Sequence, residues 1–205
     1  EHDETIITKI EKPDIWLCEK HLILSNNAIN QLNVVSNKND NSYGRFDSLF
    51  GVINRASTSM GRRLLRDRLL NPIVNEEILI RRYDQIESIM KENLYIEYEN
   101  NLNKIIDIEK YHRKITMGII QPYDISSLDL SYQYVQKLIQ LCYDNSILSN
   151  VLPSEKSVNF FNEFIQDYNK TFDIDEIKKH SINDISKNFF KIGICSTLDK
   201  YQKEI

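Results

Sequence analysis

Ser126-Ser127-Leu128-Asp129-Leu130-Ser131-Tyr132-Gln133-Tyr134-Val135-Gln136-Lys137-Leu138-Ile139-Gln140-Leu141-Cys142 is the stretch that decides the fold. Leu128, Tyr132, Val135, Ile139 and Cys142 recur every ~3.5 residues, the period of an α-helix packed along one side. A strand would need strict alternation. Ser126 to Asp129 resembles a capping box, with Asp in place of the longer Glu, which places the start of this helix at Ser126. Downstream, Pro153-Ser154 opens another helix, with Val158, Phe161, Ile165 and Tyr168 on one face. Upstream, Pro122 separates the helix from residues 94–117, which read as one or two more.

The same periodicity continues toward the N-terminus. Asp47 or Ser48 can cap a helix carrying Leu49, Phe50, Val52 and Ile53. Ser57 or Thr58 can cap the next, with Met60, Leu64, Leu65 and Leu69 at helical spacing. That helix should end near Asn71, because Pro72 disfavours a helical conformation at the residue before it. Asn75 caps a third, whose apolar stripe is Leu79, Tyr83, Ile86 and Met90. Glu76 and Glu77 suit the positive end of its dipole. Residues 1–45 are irregular. Ile6-Ile7 and Leu22-Ile23-Leu24 could be strands or a last turn of something preceding, and the polar run 36–44 reads as an exposed loop. The expectation is an all-α fold: a connector-like entry segment over 1–45, then a multi-helix domain of long packed helices over 46–205, with any strand confined to the first part.

Only five Gly and four Pro in 205 residues leave little punctuation for a many-stranded fold. No stretch approaches the ~18 apolar residues of a membrane-spanning helix, so no membrane partner is expected. The opening Glu1-His2-Asp3-Glu4 carries no signal-peptide pattern and no initiator Met, which suggests a piece of a longer intracellular protein. Cys18, Cys142 and Cys195 then read as reduced thiols. A net charge of −4 weighs against a principal phosphate-gripping surface.

The candidates for chemistry are thin. Gly44, Gly51, Gly61, Gly118 and Gly193 form no phosphate-loop or dinucleotide pattern, so no ATP site of that type is expected. Cys18 and His21 have the spacing of half a zinc site, but no second pair follows. Glu109 and His112 match one Glu-x-x-His unit of a di-iron bundle, which needs two. Asp107 and Glu109 stand two apart and would diverge on a helix, which favours a helix-start or ion-pair role over acid–base catalysis. No catalytic, cofactor-binding or metal-ligating residue is assigned. The arginines Arg62, Arg63, Arg66 and Arg68 allow two readings: contact with DNA phosphates, for which Arg62, Arg66 and Arg68 are the weak candidates, or an ion-pair network with Asp67, Glu76, Glu77 or Asp84.

Residues 48–86 carry a resemblance. Ser48-Leu49-Phe50-Gly51-Val52-Ile53-Asn54 is followed by Thr58-Ser59-Met60-Gly61-Arg62-Arg63-Leu64-Leu65, then Leu69-Leu70-Asn71-Pro72-Ile73 and Ile80-Arg81-Arg82-Tyr83. This is similar to the core-domain signature of the MutS DNA mismatch-repair family: Thr-x-Met-Gly-x-Arg-x-Leu, a Leu, a Pro, and an Arg ten residues later. Thr58, Gly61, Arg63, Leu65, Leu69, Pro72 and Arg82 fall in register. Asp107-Ile108-Glu109-Lys110 resembles the family's Asp-Leu-Glu-Arg, and Pro122-Tyr123-Asp124-Ile125 its Pro-x-Asp-Leu. Gly193 with Leu198-Asp199 resembles the Gly-x-x-x-x-Leu-Asp before the clamp helices, and Asn30-Gln31-Leu32 more loosely the entry to the core. Asn54, Lys110 and Arg68 depart from the pattern, which points to a divergent branch such as those of large viruses or organelles.

The resemblance implies a core, or lever, segment without an active site of its own, coupling a DNA clamp to an ATPase. The parent would bind mismatched duplex DNA as a homodimer in DNA repair and the DNA damage response. ATP and Mg would belong to a domain outside this chain. Such a protein would be intracellular and DNA-associated, whether cytoplasmic, nuclear, viral or organellar. The competing reading is an independent helical scaffold or adaptor. Within the motif, Gly61 is expected where a neighbouring helix approaches closely, and Arg63 where acceptors hold it in the packed interior.

Overall fold

The structure, a computed structural model, describes residues 21–36, 44–91, 93–145, 148, 151–179 and 188–204. Ile6-Ile7, Cys18 and most of the polar run 36–44 lie outside them. The described residues contain ten α-helices and no strand. The two isolated bridges are His21 with Ile73 and Phe172 with Phe190. Two compact units divide the chain: residues 1–53 with 66–81, and residues 54–65 with 82–205. The sequence boundary at residue 45 follows local periodicity, whereas these units follow tertiary contact.

In the first unit, Ser25 caps α1 (Asn26–Gln31), its hydroxyl accepting from the Ala28 N–H. Leu22-Ile23-Leu24 is neither helix nor strand, and the Leu22 N–H donates to the Pro72 carbonyl at 2.8 Å. Ser48, almost fully buried, caps α2 (Leu49–Ile53) by accepting from the Gly51 N–H at 3.1 Å. The N–H groups of Leu49 and Phe50, free at this helix start, donate to the carbonyls of Asn33 and Val34.

α3 (Ser59–Leu70) is capped by Thr58 and stops before Pro72, as its sequence requires. Asn75 caps α4 (Glu76–Lys91), its side-chain oxygen accepting from the Ile78 N–H. The expected stripe on α4 is covered only at Leu79, which is part-buried; Tyr83, Ile86 and Met90 are 65%, 54% and 63% exposed. Besides Leu79, the part-buried positions are Arg82, Gln85, Ser88 and Ile89, most of them about a quarter-turn from the stripe. Periodicity shows that a helix has an apolar side, but not which side its neighbours cover. Here Ile89 lines a half-open apolar cavity of about 410 Å³ with Tyr95, Tyr98, Leu102 and Cys142.

The second unit is organised around one long helix. α5 (Leu94–Leu102), α6 (Ile108–Thr116) and α9 (Ile174–Ile177) all pack on α7 (Pro122–Asp144). α8 (Glu155–Thr171), capped by Ser154, adds Phe161, Ile165 and Tyr168 to the same core, and α10 (Ser196–Glu204) follows. α7 begins at Pro122, four residues earlier than its sequence suggests. Pro122 is its first residue and not a separator: proline there has no N–H to leave unsatisfied. The carboxylate of Asp124, and not of Asp129, accepts from the Gln121 N–H and closes the start. Ser126 and Ser127 lie inside the helix and both donate to the Tyr123 carbonyl.

The core comprises Ile125, Leu128, Tyr132, Tyr168 and Ile177, flanked by Ile106, Ile108, Tyr111 and Phe172. Its polar atoms are satisfied within the helix bundle. The Tyr168 hydroxyl donates to the Ile125 carbonyl at 3.0 Å. Ser131, with no exposed surface, donates to the Ser127 carbonyl and accepts from the Ile106 N–H at 3.2 Å. Removing one partner of a buried pair leaves the other with its full desolvation penalty. Ser131→Ala should therefore lower unfolding free energy by about 1–3 kcal/mol, and Leu128→Ala by about 2–5 kcal/mol. Urea denaturation measures both, and unchanged midpoints would contradict this packing.

Candidate functional site: an arginine–carboxylate clasp

Thr58 starts the clasp. Its hydroxyl accepts from the Gly61 N–H at 3.0 Å, fixing the first turn of α3. A Cβ on Gly61 would stand 3.0 Å from that oxygen and 3.5 Å from the Ala56 Cβ. What crowds Gly61 is its own cap, not a neighbouring helix as expected from the sequence. Two residues on, Arg63 reaches across 44 positions of sequence to Asp107. The two guanidinium nitrogens donate to the two carboxylate oxygens at 2.7 and 2.8 Å, the bidentate geometry that suits this pair. Glu109 accepts from the same guanidinium. Arg63 is half-exposed, which corrects the expectation of the packed interior: a charge held by two carboxylates at a rim need not lose all its water. Its partners are likewise not the acids of its own or the adjoining helix.

Asp107 does double duty. One of its oxygens caps α6 by accepting from the Lys110 N–H, so the arginine fixes a helix start. Hydrogen bonding from Arg63 holds the Asp107 carboxyl below the ordinary carboxylate range, against the opposing effect of its burial. The same contacts push the Arg63 guanidinium above its already high value. A cleft of about 350 Å³ is lined by Arg63, Asp107, Glu109, Lys110 and Arg113.

Three further ties hold α6. Ile106 is bonded to Ser131, His112 Nε2 shares a 2.6 Å hydrogen bond with the Tyr132 hydroxyl, and Lys114 donates to Asp124 at 2.9 Å. Glu109 and His112 are thus engaged with other partners. Among the described residues no group of three His, Cys, Asp or Glu could hold a metal. His21 Nδ1 donates to the Asn71 carbonyl. Burial pushes the Tyr132 hydroxyl up to about 12, keeping it protonated.

Leu65 and Pro72 are part-buried, and Arg82 is part-buried on α4. Arg62, Arg66 and Arg68 are exposed on α3. At about 100° per residue, Arg68 points some 160° away from Arg66, so the three do not form one patch. The ion pairs among the described residues include neither Arg62 nor Arg66, and Asp67 accepts instead from the Asn71 amide. The polar ties through Ser131 and Tyr132 were not legible as site features: both read as ordinary positions of a helical stripe.

These features define a helical domain whose recognisable residues tie helices together. The chain matches MutS domain III over residues 27–204 and belongs to that family. A mutS homolog of Acanthamoeba polyphaga mimivirus is 39% identical over 212 residues, covering all of this chain and 18% of that protein. The DNA mismatch repair protein MutS of Caldanaerobacter subterraneus is 30% identical over 94% of this chain and 21% of its own length. That of Carboxydothermus hydrogenoformans is 24% identical over 98% and 23%. The chain thus spans about a fifth of the length of these relatives.

A carboxylate whose pKa falls on folding stabilises the fold above that pKa, and the contribution is lost as pH drops through it. The stabilisation by Asp107 should therefore be complete above about pH 4 and be lost progressively below it, as pH falls through the lower pKa of the folded state. Asp107→Asn should melt a few degrees lower than the wild type at neutral pH. The gap should close on acidification below about pH 4. Thermal melts across pH check this, and a gap constant into acid would contradict it.

Proposed function

We propose that this chain is the lever segment of a MutS-like mismatch-repair protein, carrying conformational strain between the part that holds DNA and the part that hydrolyses ATP. The family match across residues 27–204 carries this reading, together with relatives that are themselves named DNA mismatch repair proteins. A lever needs a stiff element whose position both ends can bias. α7, with α5, α6 and α9 packed on it and α6 tied at four points, supports that role.

In this reading the parent is DNA-associated, binds mispaired duplex as a homodimer, and holds ATP and Mg²⁺ in domains outside this chain. This chain supplies no reacting group. Arg62 and Arg66 are its best-placed contacts for DNA phosphates, weak and steeply salt-dependent because few phosphates are involved. No described helix is long and apolar enough to cross a membrane.

The test uses the full-length protein with Arg63→Ala. ATP binding and the preference for a mispaired duplex, measured by titration and fluorescence anisotropy, should stay within about twofold. The mispair-dependent change in ATP turnover should fall about fivefold or more, the scale of a typical coupling free energy. Intact coupling in a folded Arg63→Ala protein would overturn the lever reading.

A further inference from the structure

The lever reading leaves open which atoms transmit strain. We propose that a continuous line of aromatic rings from His112 to Phe190 is the stiff connection, joining the clasped helix α6 to the turn from which α10 starts. Each ring lies within 6.0 Å, centroid to centroid, of the next: His112 to Tyr132 at 6.0 Å, Tyr132 to Tyr168 at 5.8 Å, Tyr168 to Phe172 at 5.2 Å and Phe172 to Phe190 at 5.2 Å. The line crosses four elements, α6, α7, α8 and the segment before α10.

Its middle is rigid for a physical reason. Tyr132 meets Phe161, Phe164 and Tyr168 edge-to-face, with interplanar angles of 73°, 88° and 88°. That arrangement is set by the ring quadrupoles and is lost if a ring rotates. Tyr132 and Tyr168 are buried and their hydroxyls are fixed, one to His112 and the other to the Ile125 carbonyl. Packed contacts of this kind shift between discrete arrangements and do not slide continuously.

Its far end is sewn to the backbone. The Asp173 N–H donates to the Phe189 carbonyl at 2.8 Å, and the Lys191 N–H to the Thr171 carbonyl at 2.9 Å. Two residues later Gly193, at φ +95°, makes the turn, and its N–H donates to the Asp199 carboxylate in the first turn of α10. Movement of α8 is thereby passed to the start of α10. The near end is the releasable one: in the clasp on α6 the Arg63 side chain is half-exposed and that of Glu109 mostly exposed, so water and salt reach the guanidinium, while Asp107 is largely covered. Clasped and unclasped states of α6 give the two arrangements that coupling requires.

This inference takes its purpose from the lever reading, but its test does not depend on ATP turnover. Hydrogen–deuterium exchange is followed in the full-length protein by wild type, Arg63→Ala, Tyr132→Leu and the double variant. Arg63→Ala should speed exchange of the Lys191 and Gly193 amides about threefold or more, the scale expected of coupling between distant sites. In the Tyr132→Leu background the same change should have no further effect there. Tyr132→Phe, which keeps the ring, should transmit it.

The α1 amides, in the other compact unit, should stay unchanged throughout. If Tyr132→Leu raises them too, the variant has unfolded, and Phe172→Leu takes its place by breaking the line nearer its far end. Faster exchange confined to residues 107–111 after Arg63→Ala would overturn the proposal. So would an effect at Lys191 that survives loss of the ring. Remote exchange that responds while ATP turnover stays coupled would remove the lever reading alone.

Discussion

Arg63 and Asp107 set the position of α6, and the second unit depends on that position. α6 is nine residues long, too short to be stable by itself in water. It exists because Asp107 caps it, Arg63 fixes Asp107, and Ser131, Tyr132 and Asp124 of α7 hold it at Ile106, His112 and Lys114. With α6 in place, Ile106, Ile108 and Tyr111 close one side of the core around Leu128 and Tyr132. The residues through which the chain resembles its family are largely these ties: Thr58, Gly61 and Arg63 build the clasp, Asp107 and Glu109 receive it, and Pro122 and Asp124 start the helix that bears it.

The carboxylates of this unit fall into two physical kinds. Asp107 faces a guanidinium at a rim, and the ionised form is favoured. Asp129, buried on α7, is pushed upward by desolvation although Lys178 and Gln133 both face it. The first joins a half-exposed guanidinium to a carboxylate that is itself only 16% exposed. The second costs more to disturb, because α9 closes over it and Ile177 beside it is fully buried. α7 is thus flanked by two carboxylate–cation pairs, Arg63 with Asp107 and Lys178 with Asp129, each joining a half-exposed cation to a largely covered carboxylate.

Much of this was legible in the sequence, for reasons that also explain the rest. Helices and caps are local: Ser48, Thr58, Asn75 and Ser154 sit where their hydrogen-bonding chemistry places them. The partner of Arg63 is not local, and no periodicity reveals a contact across 44 residues. The stripe of α4 was visible but its orientation was not, since Ile89 and not Ile86 meets α5 and Cys142. The start of α7 was misplaced because a serine pair resembling a cap lies one turn beyond a proline that starts helices equally well. Ser131 and Tyr132 look like ordinary members of a stripe, and only their neighbours make them ties.

The central claim, that Arg63 acts by fixing Asp107, is tested most directly by a double-mutant cycle on urea midpoints with Arg63→Ala, Asp107→Asn and the pair together. If the two side chains act as one unit, the double variant should be no less stable than the weaker single variant. Strictly additive losses, with the double variant falling by the sum of the two, would mean that Arg63 and Asp107 stabilise the chain independently, and the clasp would not be what holds α6.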